Sequence, residues 1–119
     1  MKKRLILVVD DEVDITETYK ILLQFYKYSV LTANNAVEAL AILTDNTPDL
    51  ILSDCMMPMM DGIEFSKKVR FLPGLEEIPI ILMSGAPELH DFSRSVHTVF
   101  FHKPLIFEQL MREIERLLS

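Results

Sequence analysis

Three carboxylates, one hydroxyl and one amine in this sequence each stand within two residues of the end of a short apolar run: Asp10 and Asp11, Asp54, Ser84 and Lys103. Carboxylates gathered in a partly buried site repel one another, and leaving them unneutralised costs several kcal/mol as an order of magnitude. A hard divalent cation offsets that cost, and an all-oxygen donor set suits Mg²⁺, which keeps waters and takes one or two carboxylates. Lys103 can cancel one further charge. A cation, an amine and a hydroxyl around a carboxylate are the parts that phosphoryl transfer requires. Asp54 stands alone after its run and is the candidate nucleophile, while Asp10 and Asp11 are better placed as metal binders. Each feature by itself is ordinary, since an Asp pair after a strand is usually a turn. The set means something only if one fold gathers it.

The surrounding pattern supplies such a fold. Leu5 to Val9 is a continuous branched run, as in a strand covered on both faces. Asp14 with Glu17 has the spacing of a capping box, and Ile15, Tyr19, Leu22, Leu23 and Tyr26 follow at helical intervals. Ser29 to Ala33 reads as a second strand. Asn35 with Glu38 opens a second helix carrying Ala36, Ala39, Leu40 and Leu43, broken by Thr47-Pro48. Leu50 to Leu52 is a third strand, and a Met-rich loop ends at Asp61-Gly62. A third helix carries Phe65, Val69 and Leu72, stopped by Pro73-Gly74. Ile80 to Met83 and Val99 to Phe101 are the fourth and fifth strands. Between them Leu89, Phe92 and Val96 suggest a short or irregular fourth helix. Phe107, Leu110, Met111, Ile114, Leu117 and Leu118 form the clearest helix of all. Strands alternating with helices predict an α/β fold, doubly wound on a five-stranded parallel sheet. Ligands of such sheets lie beyond the carboxyl ends of the strands, where the strand order reverses.

With 119 residues the chain is long enough for one domain, residues 1–119, able to bury about two-thirds of its surface. A net charge of -6 argues against direct nucleic-acid binding, and no apolar stretch is long enough to span a bilayer. The single Cys excludes an internal disulfide and suits a reducing compartment, so a soluble cytoplasmic protein is expected.

The chain resembles a receiver domain of the two-component response regulators, of the chemotaxis-regulator kind. The matching pieces are Asp10-Asp11, the run Pro48-Asp49-Leu50-Ile51-Leu52-Ser53-Asp54, and Met57-Pro58-Met59-Met60-Asp61-Gly62. Ile78-Pro79-Ile80-Ile81-Leu82-Met83-Ser84-Gly85 and Lys103-Pro104 complete them. The resemblance implies a flavodoxin-like sheet of order 2-1-3-4-5 and phosphorylation of Asp54 by a histidine kinase or phosphotransfer protein. It also implies Mg²⁺ on Asp11, Asp54 and the Met56 backbone carbonyl, with Asp10 acting chiefly through water. Ser84 and Lys103 would contact the phosphoryl group, and the Lys103-Pro104 bond would be cis. Ser84 and Phe100 would form the switch. The fourth helix, fifth strand and fifth helix would present a changed surface to an output partner or effector domain.

Several residues depart from the family pattern or have blander readings. Phe100 lacks the hydroxyl of the more frequent Tyr, so a switch there works by packing alone. The stretch from Ser84 to Lys103 is short for the family, and no Gly precedes the fifth strand. Met56 should hinder water near the acceptor, whereas Ala86 would not. Cys55 and the methionines of its loop read as gap-filling rather than as a soft-metal site, and Cys55 as inert. His90, His97 and His102 have no ligand spacing, Glu108–Arg112 is a solvated pair, and Phe71 and Phe101 are expected in the core. Two other functions compete with a signalling switch. An unphosphorylated pseudo-receiver would bind Mg²⁺ poorly. A Mg²⁺-dependent phosphatase would need a second carboxylate at position 56, which is Met.

Overall fold

The computed structural model describes residues 3–85 and 98–119. The helix expected around Leu89, Phe92 and Val96 lies outside the described residues, as do Ala86, His90 and His97. The elements run β1 (Leu5–Val9), α1 (Val13–Phe25), β2 (Ser29–Ala33), α2 (Ala36–Leu43), β3 (Leu50–Asp54), α3 (Gly62–Arg70), β4 (Ile80–Ser84), β5 (Thr98–His102) and α4 (Phe107–Leu118). The five strands form one sheet of order β2-β1-β3-β4-β5, and every pairing is parallel.

Strand alternation divides the apolar residues between two layers. Leu7, Val9, Ile51, Ile80 and Leu82 pack with Ala36, Ala39 and Leu43 of α2 and Phe65 and Val69 of α3. Ile6, Val8, Leu50, Leu52, Ile81 and Met83 pack with Leu23 of α1 and Leu110, Met111 and Ile114 of α4. The interior strands β3 and β4 are buried along their whole length, which explains why their sequences run apolar without alternation. Edge strand β2 is only half-buried over most of its length.

Helix starts follow local chemistry, with one correction. The Asn35 side chain accepts from Glu38 N–H at 2.7 Å, as its spacing predicts. Asp14 does not cap α1. That helix starts at Val13, with Ile15 and Thr16 N–H both bonded to the Glu12 carbonyl. Asp10 Oδ1 accepts from Glu12 N–H at 3.0 Å, turning the chain two residues early. Asp61 caps α3 through Glu64 N–H at 2.8 Å, and the helix ends at Arg70, leaving Leu72 beyond it. Gly74, at φ 84, occupies the left-handed region in the turn that follows.

Phe71, expected in the core, is 88% exposed: it caps α3 one residue past the helix, where the buried stripe of Phe65 and Val69 has rotated away. Tyr26 is also exposed, though its ring lies 5.9 Å from that of Phe107. Phe101 does pack in the core with α1 and α4.

No sequence pattern marks Arg70, yet it ties three segments together. Its guanidinium donates to the Leu75 carbonyl at 3.3 Å, the Ile78 carbonyl at 2.6 Å and Thr98 Oγ1 at 3.1 Å. Arg70→Ala should lower unfolding free energy by about 2 kcal/mol, because half-buried acceptors lose a charged donor. A urea midpoint unchanged from wild type would contradict this.

Candidate functional site

The order of the sheet brings the chemistry together. Strand order reverses between β1 and β3, so Asp10 at the end of β1 and Asp54 at the end of β3 flank one crevice. β1 and β3 pair as far as Val9 with Ser53, which sets the two acids side by side. Across the sheet, Lys103 N–H donates to the Ser84 carbonyl at 2.9 Å, just past β5. Alternation then sorts the side chains. Asp10, Asp54 and Lys103 continue the positions that face α1 and α4. Ser84 and Phe100 continue the positions that face α2 and α3, with Phe100 opposite Leu82 and Ser84 opposite His102.

Asp10 and Asp54 are buried and Asp11 is exposed. One carboxylate oxygen from each lies within 4.8 Å of the other two. The Lys103 ammonium stands 2.9 Å from Asp54 Oδ1. That buried oxygen takes no well-aligned hydrogen bond, so the ion pair is its close contact among the described residues. Ser84 is buried at the same edge. The bond between Lys103 and Pro104 is cis. A cleft of about 540 Å³, lined in part by Asp10, Glu12, Tyr19, Met83 and Lys103, opens beside the acids.

The fields follow from this crowding. Burial pushes the Asp10 carboxyl up to about 6, against the Glu12 N–H bond, and the neighbouring Asp54 adds to the rise. Burial pulls the Lys103 ammonium down. Contact with Asp54 and its charge, helped by Asp10 and Glu12, outweighs burial and leaves it above the ordinary lysine value. Burial, with Asp61 and Asp54 nearby, pushes the Cys55 thiol up to about 11. The inert thiol expected from the sequence therefore fits its surroundings.

These donors suit a divalent cation. At the ~2.1 Å bond length of Mg²⁺, two ligand oxygens stand at most about 4.2 Å apart. The trio therefore needs only a small contraction, or a bridging water, to close. A buried Asp54 oxygen whose close contact among the described residues is the Lys103 ammonium alone leaves room for a cation to satisfy it.

The Asp10 shift has a sign that can be checked. In metal-free protein the native state holds the Asp10 proton to about pH 6, whereas an unfolded Asp releases it near ~3.9. Between those values the native state binds more protons, so stability falls as pH rises through the window. Relative to Asp10→Asn, wild type in EDTA should lose about 1–3 kcal/mol between pH 4 and pH 7. Paired urea titrations at the two pH values measure it. A difference between the two proteins that stays flat, or grows in favour of wild type, would contradict it.

The sequence found all five acid, hydroxyl and amine residues of this edge. It did not single out Gly62, which closes the Met-rich loop back onto Asp54, although the resemblance motif contains it. Nor did it single out Asn34 and Thr16, which hold the Asp10 turn, and no pattern in the sequence marks them. Met57 and Met60 pack against the core as expected, whereas Met56 and Met59 are exposed. Met59 has φ 71, at the centre of a tight turn in which Met60 N–H donates to the Pro58 carbonyl at 2.8 Å.

A doubly wound α/β sheet with a cation-ready acidic trio and a paired lysine at its switch point defines a phosphoryl-handling class of domain. Comparison with known proteins narrows it. The family described as response regulator receiver domain matches residues 6–115. Response regulator MprA of Mycobacterium sp. (strain KMS) is 31% identical over 116 residues, covering 95% of this chain and 50% of that protein. The phosphate regulon transcriptional regulatory protein PhoB of Pseudomonas aeruginosa is 38% identical over 88 residues, 74% of this chain and 38% of that protein. Among solved structures, chemotaxis protein CheY4 of Vibrio cholerae superposes with a TM-score of 0.91 at 32% identity, covering 98% of this chain and 100% of that one.

The chain belongs to the response regulator receiver domain family, whose general function is to accept a phosphoryl group in two-component signalling. It spans about half the length of the MprA relatives it matches. Among the described residues no helix is long and apolar enough to cross a membrane.

Proposed function

We propose that residues 1–119 form one receiver domain, that Asp54 is its phosphoacceptor, and that Mg²⁺ is held by Asp11, Asp54 and the Met56 carbonyl, with Asp10 chiefly through water. The observation that carries the reading is Lys103 Nζ at 2.9 Å from Asp54 Oδ1 beside the acidic trio. When bound, Mg²⁺ would neutralise phosphoryl oxygens and the crowded carboxylates. In the transfer, an Asp54 carboxylate oxygen forms a P–O bond as the P–N bond to a kinase phosphohistidine breaks. The imidazole leaves with the electron pair and takes up a proton. Lys103 pairs with a phosphoryl oxygen and Ser84 donates to another. The domain catalyses its own phosphorylation and dephosphorylation and turns over no other substrate.

The new dianion draws Ser84 inward, and Phe100, on the same face of the sheet, turns into the vacated space. This shifts the population of surfaces offered to an output partner. Among the described residues that surface comprises β5 and α4, and the partner is an effector domain or separate protein in the cytoplasm.

With Mg²⁺ and acetyl phosphate, intact-mass spectrometry should show one phosphoryl adduct per chain. No adduct at saturating Mg²⁺ would overturn the reading in favour of a pseudo-receiver. Met56 supplies an apolar side chain two residues past the acceptor, where Asn would hold water. The adduct should therefore decay a few-fold faster in Met56→Asn, and equal decay would remove the shielding idea.

A further inference from the structure

The acidic trio does not hold itself in place, because mutual repulsion drives its members apart. What fixes the turn that carries two of them is a side-chain amide from the turn that follows the neighbouring strand. Asn34 follows β2 directly, and its Nδ2 donates to the Asp10 main-chain carbonyl at 3.0 Å and to Thr16 Oγ1 at 3.2 Å. Thr16 is buried in the first turns of α1, and its hydroxyl proton is already committed to the Val13 carbonyl at 2.9 Å. Asn34 is itself anchored, since its main-chain N–H donates to Glu38 Oε1 at 2.9 Å. The adjacent strand ladder is extended by Asp10 N–H to the Ala33 carbonyl at 3.1 Å.

The chemistry of the two acceptors selects the residue. A carbonyl oxygen cannot donate, and the Thr16 hydroxyl has only lone pairs left to offer. The group between them must supply two N–H donors from one centre, which among short side chains only an amide does. An Asp in its place would set oxygen against oxygen beside an acidic cluster, and an Ala would leave both acceptors unmet. The Asp10 carbonyl belongs to the peptide plane joining Asp10 to Asp11. Holding that plane fixes where the Asp11 Cα points, and so where its exposed carboxylate reaches.

We propose that Asn34, seated on Thr16, is a positioning residue for cation binding: it locks the Asp10-Asp11 peptide so that both carboxylates face Asp54. This rests on the metal reading of the trio given above. The bond runs to the main chain of a ligand residue rather than to its carboxylate. Its loss should therefore fall at the low end of the 10- to 100-fold range typical for groups that orient metal ligands.

The test is Mg²⁺ titration of the purified chain followed by amide NMR shifts, with thermal melts in EDTA and in saturating Mg²⁺. Asn34→Ala should weaken Mg²⁺ binding by about 10-fold and lose part of the Mg²⁺-dependent rise in melting temperature. Thr16→Val removes one seat and leaves the bond to Asp10, so it should weaken binding by a smaller factor, with Thr16→Ser restoring wild-type affinity. A purely structural Asn34 would lower both melts equally and leave the Mg²⁺ dissociation constant within two-fold of wild type, and that result would overturn the positioning role alone. If Asn34→Ala fails to fold, the Thr16 pair decides: equal affinity in Thr16→Val and Thr16→Ser overturns the proposal. Wild-type protein that shows no Mg²⁺ shifts at all would instead overturn the metal reading, and this role with it.

Discussion

Asp54→Asn should all but abolish the phosphoryl adduct: with Mg²⁺ and acetyl phosphate, its rate of formation is expected to fall by about a thousand-fold or more. An amide oxygen is a poor nucleophile, and it carries no charge to draw a cation toward the donor phosphate. The substitution also removes the partner that Lys103 meets at 2.9 Å. Shape is conserved, so the loss cannot be blamed on a cavity. Two opposing effects act on stability: the Lys103 ion pair is lost, but so is the repulsion that helps raise Asp10. The Asp54→Asn protein should therefore remain folded, with near-wild-type circular dichroism. An adduct of undiminished yield would place the acceptor elsewhere and dismantle the reading of the site.

The second large effect is expected at Gly62. A Cβ added there would stand 2.7 Å from the Asp54 carbonyl oxygen and 2.8 Å from Cys55 Cα, with Leu82 Cδ2 at 3.1 Å. The first two are main-chain atoms of the acceptor strand's end and cannot swing aside as a side chain could. Gly62 N–H also donates to the Cys55 carbonyl at 2.7 Å, so the close approach is itself bonded. Gly62→Ala must push α3 away from β3 or displace Asp54. It should cost about 2–4 kcal/mol and weaken Mg²⁺ binding in whatever fraction folds. A urea midpoint matching wild type, with unchanged Mg²⁺ affinity, would show that the loop absorbs a methyl group freely.

Most of the architecture was legible from residue pattern. Unbroken apolar runs such as Leu50–Leu52 mark strands covered on both faces, and Phe107 to Leu118 repeats at helical spacing. In both cases the signal is the burial itself, which local sequence records. The five site groups were legible for a related reason: each ends a strand or lies just past one, and a parallel sheet delivers all such ends to one edge. The failures share a different cause. Asp14 and Glu17 have the spacing of a cap, but Asp10 turned the chain first. Phe71 is apolar, but the helix ended one residue before it and left it outside.

Pattern along the chain thus determined that there would be a parallel sheet and that acids, an alcohol and an amine would share its carboxyl edge. Only the tertiary structure decided which groups hold the strands in place: Gly62 against the Asp54 carbonyl and Asn34 under the Asp10 turn at that edge, and Arg70 at the opposite edge, where β4 and β5 begin. Each acts in part through main-chain atoms outside its own element. Every residue carries those same atoms, so no amino-acid type advertises the contact until the chain has folded.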